Sequence, residues 1–122
     1  ATAAGLAVLA ELTDDSYAEL ERTAARLADG LAKAFANASV PAQVTRARTL
    51  VGVFFAEHEV RNYDDAKAAD QARYASFFHH LLGDGIYVAP SAFEAVFPSL
   101  AHTDADVDRT VESAAGLAVG KE

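Results

Sequence analysis

The fifteen residues Ala42–Ala56, AQVTRARTLVGVFFA, decide how the rest of the chain is read. Ala42 to Arg48 alternates polar and apolar side chains, as a strand with one wet face does. Leu50 to Ala56 is a denser apolar run, the pattern of a strand covered more fully. Their closeness predicts a hairpin, although Ala47-Arg48-Thr49 offers no strong turn residue.

Helical patterns flank this hairpin on both sides. Upstream, Thr13-Asp14-Asp15 breaks an apolar first segment, and Ser16-Tyr17-Ala18-Glu19 has the spacing of a capping box. The helix it predicts runs to about Asn37, with Tyr17, Leu20, Ala24, Leu27, Leu31 and Phe35 on one stripe and Gly30 as a weak point. Downstream, Asn62-Tyr63-Asp64-Asp65 supplies an N-cap with acid in the first turn. One helix is expected from there to Leu82, its inner face carrying Tyr74, Phe77, Phe78, Leu81 and Leu82, and Gly83-Asp84-Gly85 ends it. Ile86–Ala89 is a short strand candidate. Thr103-Asp104-Ala105-Asp106 caps a last helix with Val107, Val111, Ala114, Ala115 and Ala118 inside. Hairpin strands between helices predict an α+β two-layer sandwich, a small and mostly antiparallel sheet with helices packed on one side.

The totals fit one domain. The chain has 122 residues and is 52% hydrophobic. Roughly a quarter of it is alanine, so the core must draw on seven Phe, four Tyr and the Leu/Val set. A net charge of −8 argues against nucleic acid and against an anionic membrane surface, since both need clustered Lys and Arg. No apolar run has the length of a membrane span. The absence of Cys excludes thiolate metal sites and suits a reducing compartment, and the expected location is cytoplasmic. The first ten residues, ATAAGLAVLA, are apolar without a preceding basic region, so they do not read as a signal peptide. They read instead as a helix apolar on nearly every side, which belongs against other protein. The expectation is that the chain was cut from something larger and that residues 1–12 are the end of an inter-domain helix.

Candidate chemistry is sparse. His79 and His80 diverge by about 100° on a helix, and no histidine spacing matches a metal motif, so no metal site is expected. Neither Ser91 nor Ser99 sits in G-x-S-x-G. Lys33 and Lys67 belong to helix surfaces and Lys121 to the C-terminus, so no Schiff-base lysine is expected. Catalytic and cofactor-binding residues are thus expected to be absent from this chain. What remains is the loop Tyr87–Thr103, YVAPSAFEAVFPSLAHT, which sets Glu94 and His102 among aromatic side chains. Such a loop suits a solvated connection, or else one wall of a cleft completed by a second domain or subunit.

That loop carries a resemblance. APSAFEAVFPSLAHT resembles the segment A-P-S-x-F-E-A-x-F-x-S-x-A-H-T of the glutamate-1-semialdehyde 2,1-aminomutase family, pyridoxal-phosphate enzymes related to the class-III aminotransferases. ATAAGLAVLAEL is similar to the helix after that family's G-N-P motif, and LVGVFF to its apolar strand after V-x-R. RNYDDAKAADQARYASFFHHLLGDGIYVAPS and AHTDADVDRT resemble further blocks in the same order. The resemblance implies the C-terminal small domain of a fold-type I enzyme, in which the large domain upstream holds the Schiff-base lysine and the other cofactor-binding groups. It implies pyridoxal or pyridoxamine 5'-phosphate in the full-length enzyme and none bound to this chain alone. The implied reaction turns glutamate 1-semialdehyde into 5-aminolevulinate for tetrapyrrole synthesis, in a homodimer acting on a small-molecule substrate. Glu94 matches the motif glutamate on the substrate side of the cleft, and Ser91 and His102 match positions that shape it. Ala92 and Pro98 depart from the family's usual residues.

Two rival readings stand beside this one. An ordinary class-III aminotransferase commonly has an arginine in the corresponding segment, whereas here none lies between Arg73 and Arg109. A stand-alone α+β binding or regulatory domain would need no cofactor.

Overall fold

A computed structural model describes residues 1–117. Ala118 and Lys121, expected inside the last helix and at the C-terminus, lie outside the described residues. The element order is α1 (Thr2–Glu11), α2 (Asp14–Asn37), β1 (Gln43–Ala47), β2 (Leu50–Phe54), α3 (Tyr63–Ala68), α4 (Gln71–Gly83) and α5 (Asp104–Gly116).

The hairpin forms as expected, antiparallel, with Thr45 opposite Gly52 and Ala47 opposite Leu50. Its two-residue turn is closed by Arg48 in the left-handed region at φ 54°, whose carbonyl accepts a hydrogen bond from Arg46 Nη1 at 2.8 Å. A non-glycine residue there costs about 1 kcal/mol, and an arginine carries no turn signal in the sequence. Val51, Val53 and Phe55 face the helices and are buried. Phe54 lies half-buried on the other face.

The helices pack on one side of this sheet, and the core is centred on three phenylalanines. Phe35 of α2, Phe77 of α4 and Phe55 after β2 meet edge to face, with ring centroids 5.4 to 5.9 Å apart. Such pairs contribute about 0.5–1.5 kcal/mol each beyond area burial. Helix α5 crosses α2 where Gly30 leaves room. A Cβ there would stand 2.5 Å from Val111 Cγ2, so Gly30 permits close packing rather than weakening the helix. Arg22–Asp104 and Arg26–Asp108 tie the same two helices at the surface, where ion pairs contribute little.

Tyr17 and Leu82, expected on the inner faces of their helices, are exposed, and three expectations about elements and their bounds change in the structure. Helix α2 begins at Asp14, not at Ser16: Thr13 is its N-cap, accepting from the Ser16 N–H at 3.2 Å, while Ser16 Oγ donates to the Glu11 carbonyl. The long helix over 62–82 is two helices. The Asp70 N–H donates to the Phe55 carbonyl at 2.8 Å, its carboxylate caps α4 by accepting from Arg73, and Gln71 Nε2 covers the end of α3 at Ala66 and Ala69. Ile86–Ala89 is not a strand. The segment that reaches the open edge of β2 is Val96, which exchanges both backbone hydrogen bonds with Val51 as an isolated bridge. The bridge stays isolated for two local reasons. Two residues further along that edge, Pro98 has no N–H to give, and the Glu94 N–H is already donated to the Ser91 carbonyl.

Asn62 and Thr103 cap α3 and α5 as expected, Thr103 in a full capping box with Asp106. Gly85, at φ 78°, carries the chain out of α4. Helix α1 buries none of its residues, and Leu6, Val8 and Leu9 are exposed. Among the described residues no helix is long and apolar enough to cross a membrane.

Candidate functional site

The segment between α4 and α5 is held at four points. Tyr74, buried on α4, donates its hydroxyl to the Ala89 carbonyl at 2.8 Å. Ser91 then forms a tight turn, its Oγ accepting from the Phe93 N–H at 3.2 Å and its carbonyl from the Glu94 N–H at 3.1 Å. Ala92 is the buried plug of this turn, and Val96 bridges to β2. Finally the Ser99 N–H donates to His102 Nδ1 at 2.9 Å, with Ser99 Oγ at the same distance. A backbone donor at Nδ1 leaves the ring proton of neutral His102 on Nε2.

The apolar side chains of the loop largely face outward. Tyr87 is 75% exposed, Phe97 67% and Phe93 50%, with Leu100 similarly open. Phe93 rests on Tyr63 of α3, ring centroids 5.9 Å apart, and Lys67 lies over the Tyr63 ring. Exposed aromatic side chains grouped on one segment mark a surface that meets something else.

Under the loop runs a cleft of about 240 Å³ between Ile86–Ala89, Ala95–Pro98 and the start of α5. Its walls are mainly apolar, with His102, Asp106 and Thr110 as polar groups. The hydroxyl and N–H of Thr103 hold the Asp106 carboxyl below the usual carboxylate range. Of the three residues expected at the substrate side, His102 lines this cleft; Ser91 and Glu94 do not. Ser91 is half-buried and Glu94 exposed on the adjoining turn. Burial first, and the Glu94 carboxylate second, push the Tyr74 phenol above its ordinary value.

Sequence reasoning treated Tyr74 only as an inner-face residue of a helix and missed its polar role. A Tyr where packing needs only a ring was the available signal. The histidine pair of α4 separates as expected. His79 is exposed, and His80 Nε2 lies 2.9 Å from the Ser113 carbonyl, tying α4 to α5. Lys33 and Lys67 are exposed, and no lysine among the described residues lines the cleft.

No family model matches the chain. Solved structures share its fold: a β-phenylalanine aminotransferase from Variovorax paradoxus superposes with a TM-score of 0.75 and 32% identity, over 84% of this chain and 23% of that one. A glutamate-1-semialdehyde aminomutase from Pseudomonas aeruginosa gives a TM-score of 0.78 at 24% identity, over 86% of this chain and 23% of its own. Two antiparallel strands with helices packed on them match the C-terminal part of fold-type I pyridoxal-phosphate aminotransferase structures.

Among curated relatives the similarity is narrower. The chain is 47% identical over 115 residues, 93% of its length, to glutamate-1-semialdehyde 2,1-aminomutase from Desulfosudis oleivorans. It is 46% identical over 113 residues to the enzyme of that name from Anaeromyxobacter, and 40% over 121 residues to one from Bacillus cereus. It spans about a quarter of the length of each, 26 to 28%. One structural neighbour is a complex with PMP and another a transaminase with PLP bound. The cleft under the loop has neither a lysine nor an arginine in its walls, so its lining does not fit such a cofactor.

Proposed function

We propose that this chain is the C-terminal domain of a pyridoxal-phosphate-dependent glutamate-1-semialdehyde 2,1-aminomutase, which converts glutamate 1-semialdehyde to 5-aminolevulinate. The observation that carries this reading is 47% identity along 93% of the chain with an enzyme of that name. In it, residues 1–12 are the end of an inter-domain helix, and the large cofactor-binding domain is the remainder of the polypeptide. The full protein acts as a cytoplasmic homodimer in tetrapyrrole synthesis, as the likeness implies.

The amino-transfer chemistry belongs to the cofactor held by that other domain. This chain contributes a wall. The exposed Tyr87, Phe93, Phe97 and Leu100 suit a face closed over by the large domain, and closing it removes water from the substrate. Glu94 presents a carboxylate on the substrate side, where its charge acts more strongly once water is excluded. Ser91 fixes the turn that carries Glu94, and His102 shapes the loop through Ser99.

The 32% identity to a β-phenylalanine aminotransferase favours, as second reading, the C-terminal domain of an ordinary aminotransferase. The reaction product separates the two. Given glutamate 1-semialdehyde and no other amino donor or acceptor, the full-length protein is expected to form 5-aminolevulinate. Amino transfer to an added keto acid, without 5-aminolevulinate, would make it an aminotransferase.

A further inference from the structure

The loop that carries Glu94 has few regular hydrogen bonds, yet its backbone is closely determined. Ala89 is followed by Pro90, which confines Ala89 to extended conformations. Ser91 caps the turn, Ala92 is 3% exposed beneath it, and Phe93 leans on Tyr63. Among the described residues one side chain from the helical layer reaches the start of this unit through a polar contact, and that is Tyr74. Its ring needs no hydroxyl for packing. It meets Phe77 edge-on at 5.8 Å and is 3% exposed, so phenylalanine would fill the same space. The hydroxyl therefore serves the Ala89 carbonyl, fifteen residues away, across the gap between a rigid helix and the loop.

We propose that Tyr74 is a positioning residue of the site: by donating its phenol to the Ala89 carbonyl it fixes the origin of the Ser91–Glu94 turn, and so the place at which the Glu94 carboxylate is presented. The proposal rests on the reading of Glu94 as a substrate-side group. Burial first and the Glu94 charge second oppose ionisation of the phenol, which is a donor at neutral pH in any case. Without the hydroxyl the Ala89 carbonyl loses its partner, and the turn keeps only its own short-range hydrogen bonds beside the packing of Ala92 and Phe93.

The test is a double-mutant cycle in the full-length protein with Tyr74→Phe, Glu94→Gln and the pair, each followed by kcat, KM and amide hydrogen exchange. Tyr74→Phe is expected to lower kcat about three- to tenfold, the size of one neutral hydrogen bond, with KM changed less. The Phe93 and Glu94 amides are expected to exchange faster by a similar factor while those of α2 and α5 do not change. In the Glu94→Gln background Tyr74→Phe is expected to lower kcat no further. Unchanged exchange at Phe93 and Glu94 overturns the proposal whatever the kinetics, and so do fully additive losses in kcat, which a merely structural role would give. A Glu94→Gln protein with unchanged kinetics is the distinct sign that the reading of Glu94 itself has failed, and the positioning role falls with it.

Discussion

Glu94→Gln in the full-length protein is expected to lower kcat by about ten- to a hundredfold while leaving thermal stability where it was. The two halves of that expectation have separate origins. The side chain is exposed and forms no ion pair among the described residues, so the fold loses almost nothing, within about 0.5 kcal/mol. Only its backbone N–H takes part in the turn, and glutamine keeps that bond. The loss in turnover comes from removing a fixed charge beside the substrate, where a preorganised group is commonly worth at least tenfold. Steady-state kinetics with a thermal melt check both halves. Unchanged kinetics would return Glu94 to an ordinary solvated surface role.

The largest effect on stability is expected at Phe77. Its ring is 2% exposed and meets Phe35, Phe55 and Tyr74 edge to face, with centroids 5.7 to 5.9 Å away. Phe77→Ala removes the joint between α4, α2 and the sheet and leaves a void, at a cost of about 3–5 kcal/mol. A domain of this size has a total stability of about 5–15 kcal/mol, so the variant should be marginally folded. Leu9→Ala is the control, an apolar residue of similar size that is 66% exposed on α1 and should change stability by less than about 0.5 kcal/mol. Denaturant unfolding of the chain measures both. A Phe77→Ala loss below about 1 kcal/mol would mean that the three phenylalanines are not the centre of the core.

How much of this was legible beforehand depended on whether the deciding interaction was local. The hairpin, the α2 stripe from Ala24 to Phe35 and the Thr103 cap all rest on residues within a few positions of one another, and these appear as expected, whereas Tyr17 at the start of the stripe is exposed. The break at Ala69–Asp70 depends on the Asp70 N–H finding the Phe55 carbonyl across the fold, a contact that helical periodicity over 62–82 does not reveal. Ile86–Ala89 has the composition of a strand but is drawn to Tyr74 at Ala89, while Val96, in a less strand-like setting, takes the open edge of β2. Gly30 shows the same limit. Propensity marks it as a weak point, and only the approach of Val111 explains its use.

The proposed site rests on family likeness more than on residue chemistry. Glu94, Ser91 and His102 carry no motif that spacing alone would select, and the chain by itself brings only His102 into the cleft wall. Ser91 and Glu94 share a turn instead. On the proposed reading the physical reason is that a wall without its opposite side has no enclosed centre where perturbed groups converge.

The claim that this chain is one wall of a two-part catalyst is tested most directly by pyridoxal phosphate absorbance, comparing the chain alone with the full-length protein. The account predicts no specific internal-aldimine band from the chain alone and a stoichiometric one from the full-length protein. A stoichiometric band from the chain alone, abolished by replacing Lys33, Lys67 or Lys121, would contradict it and move the cofactor site into this domain.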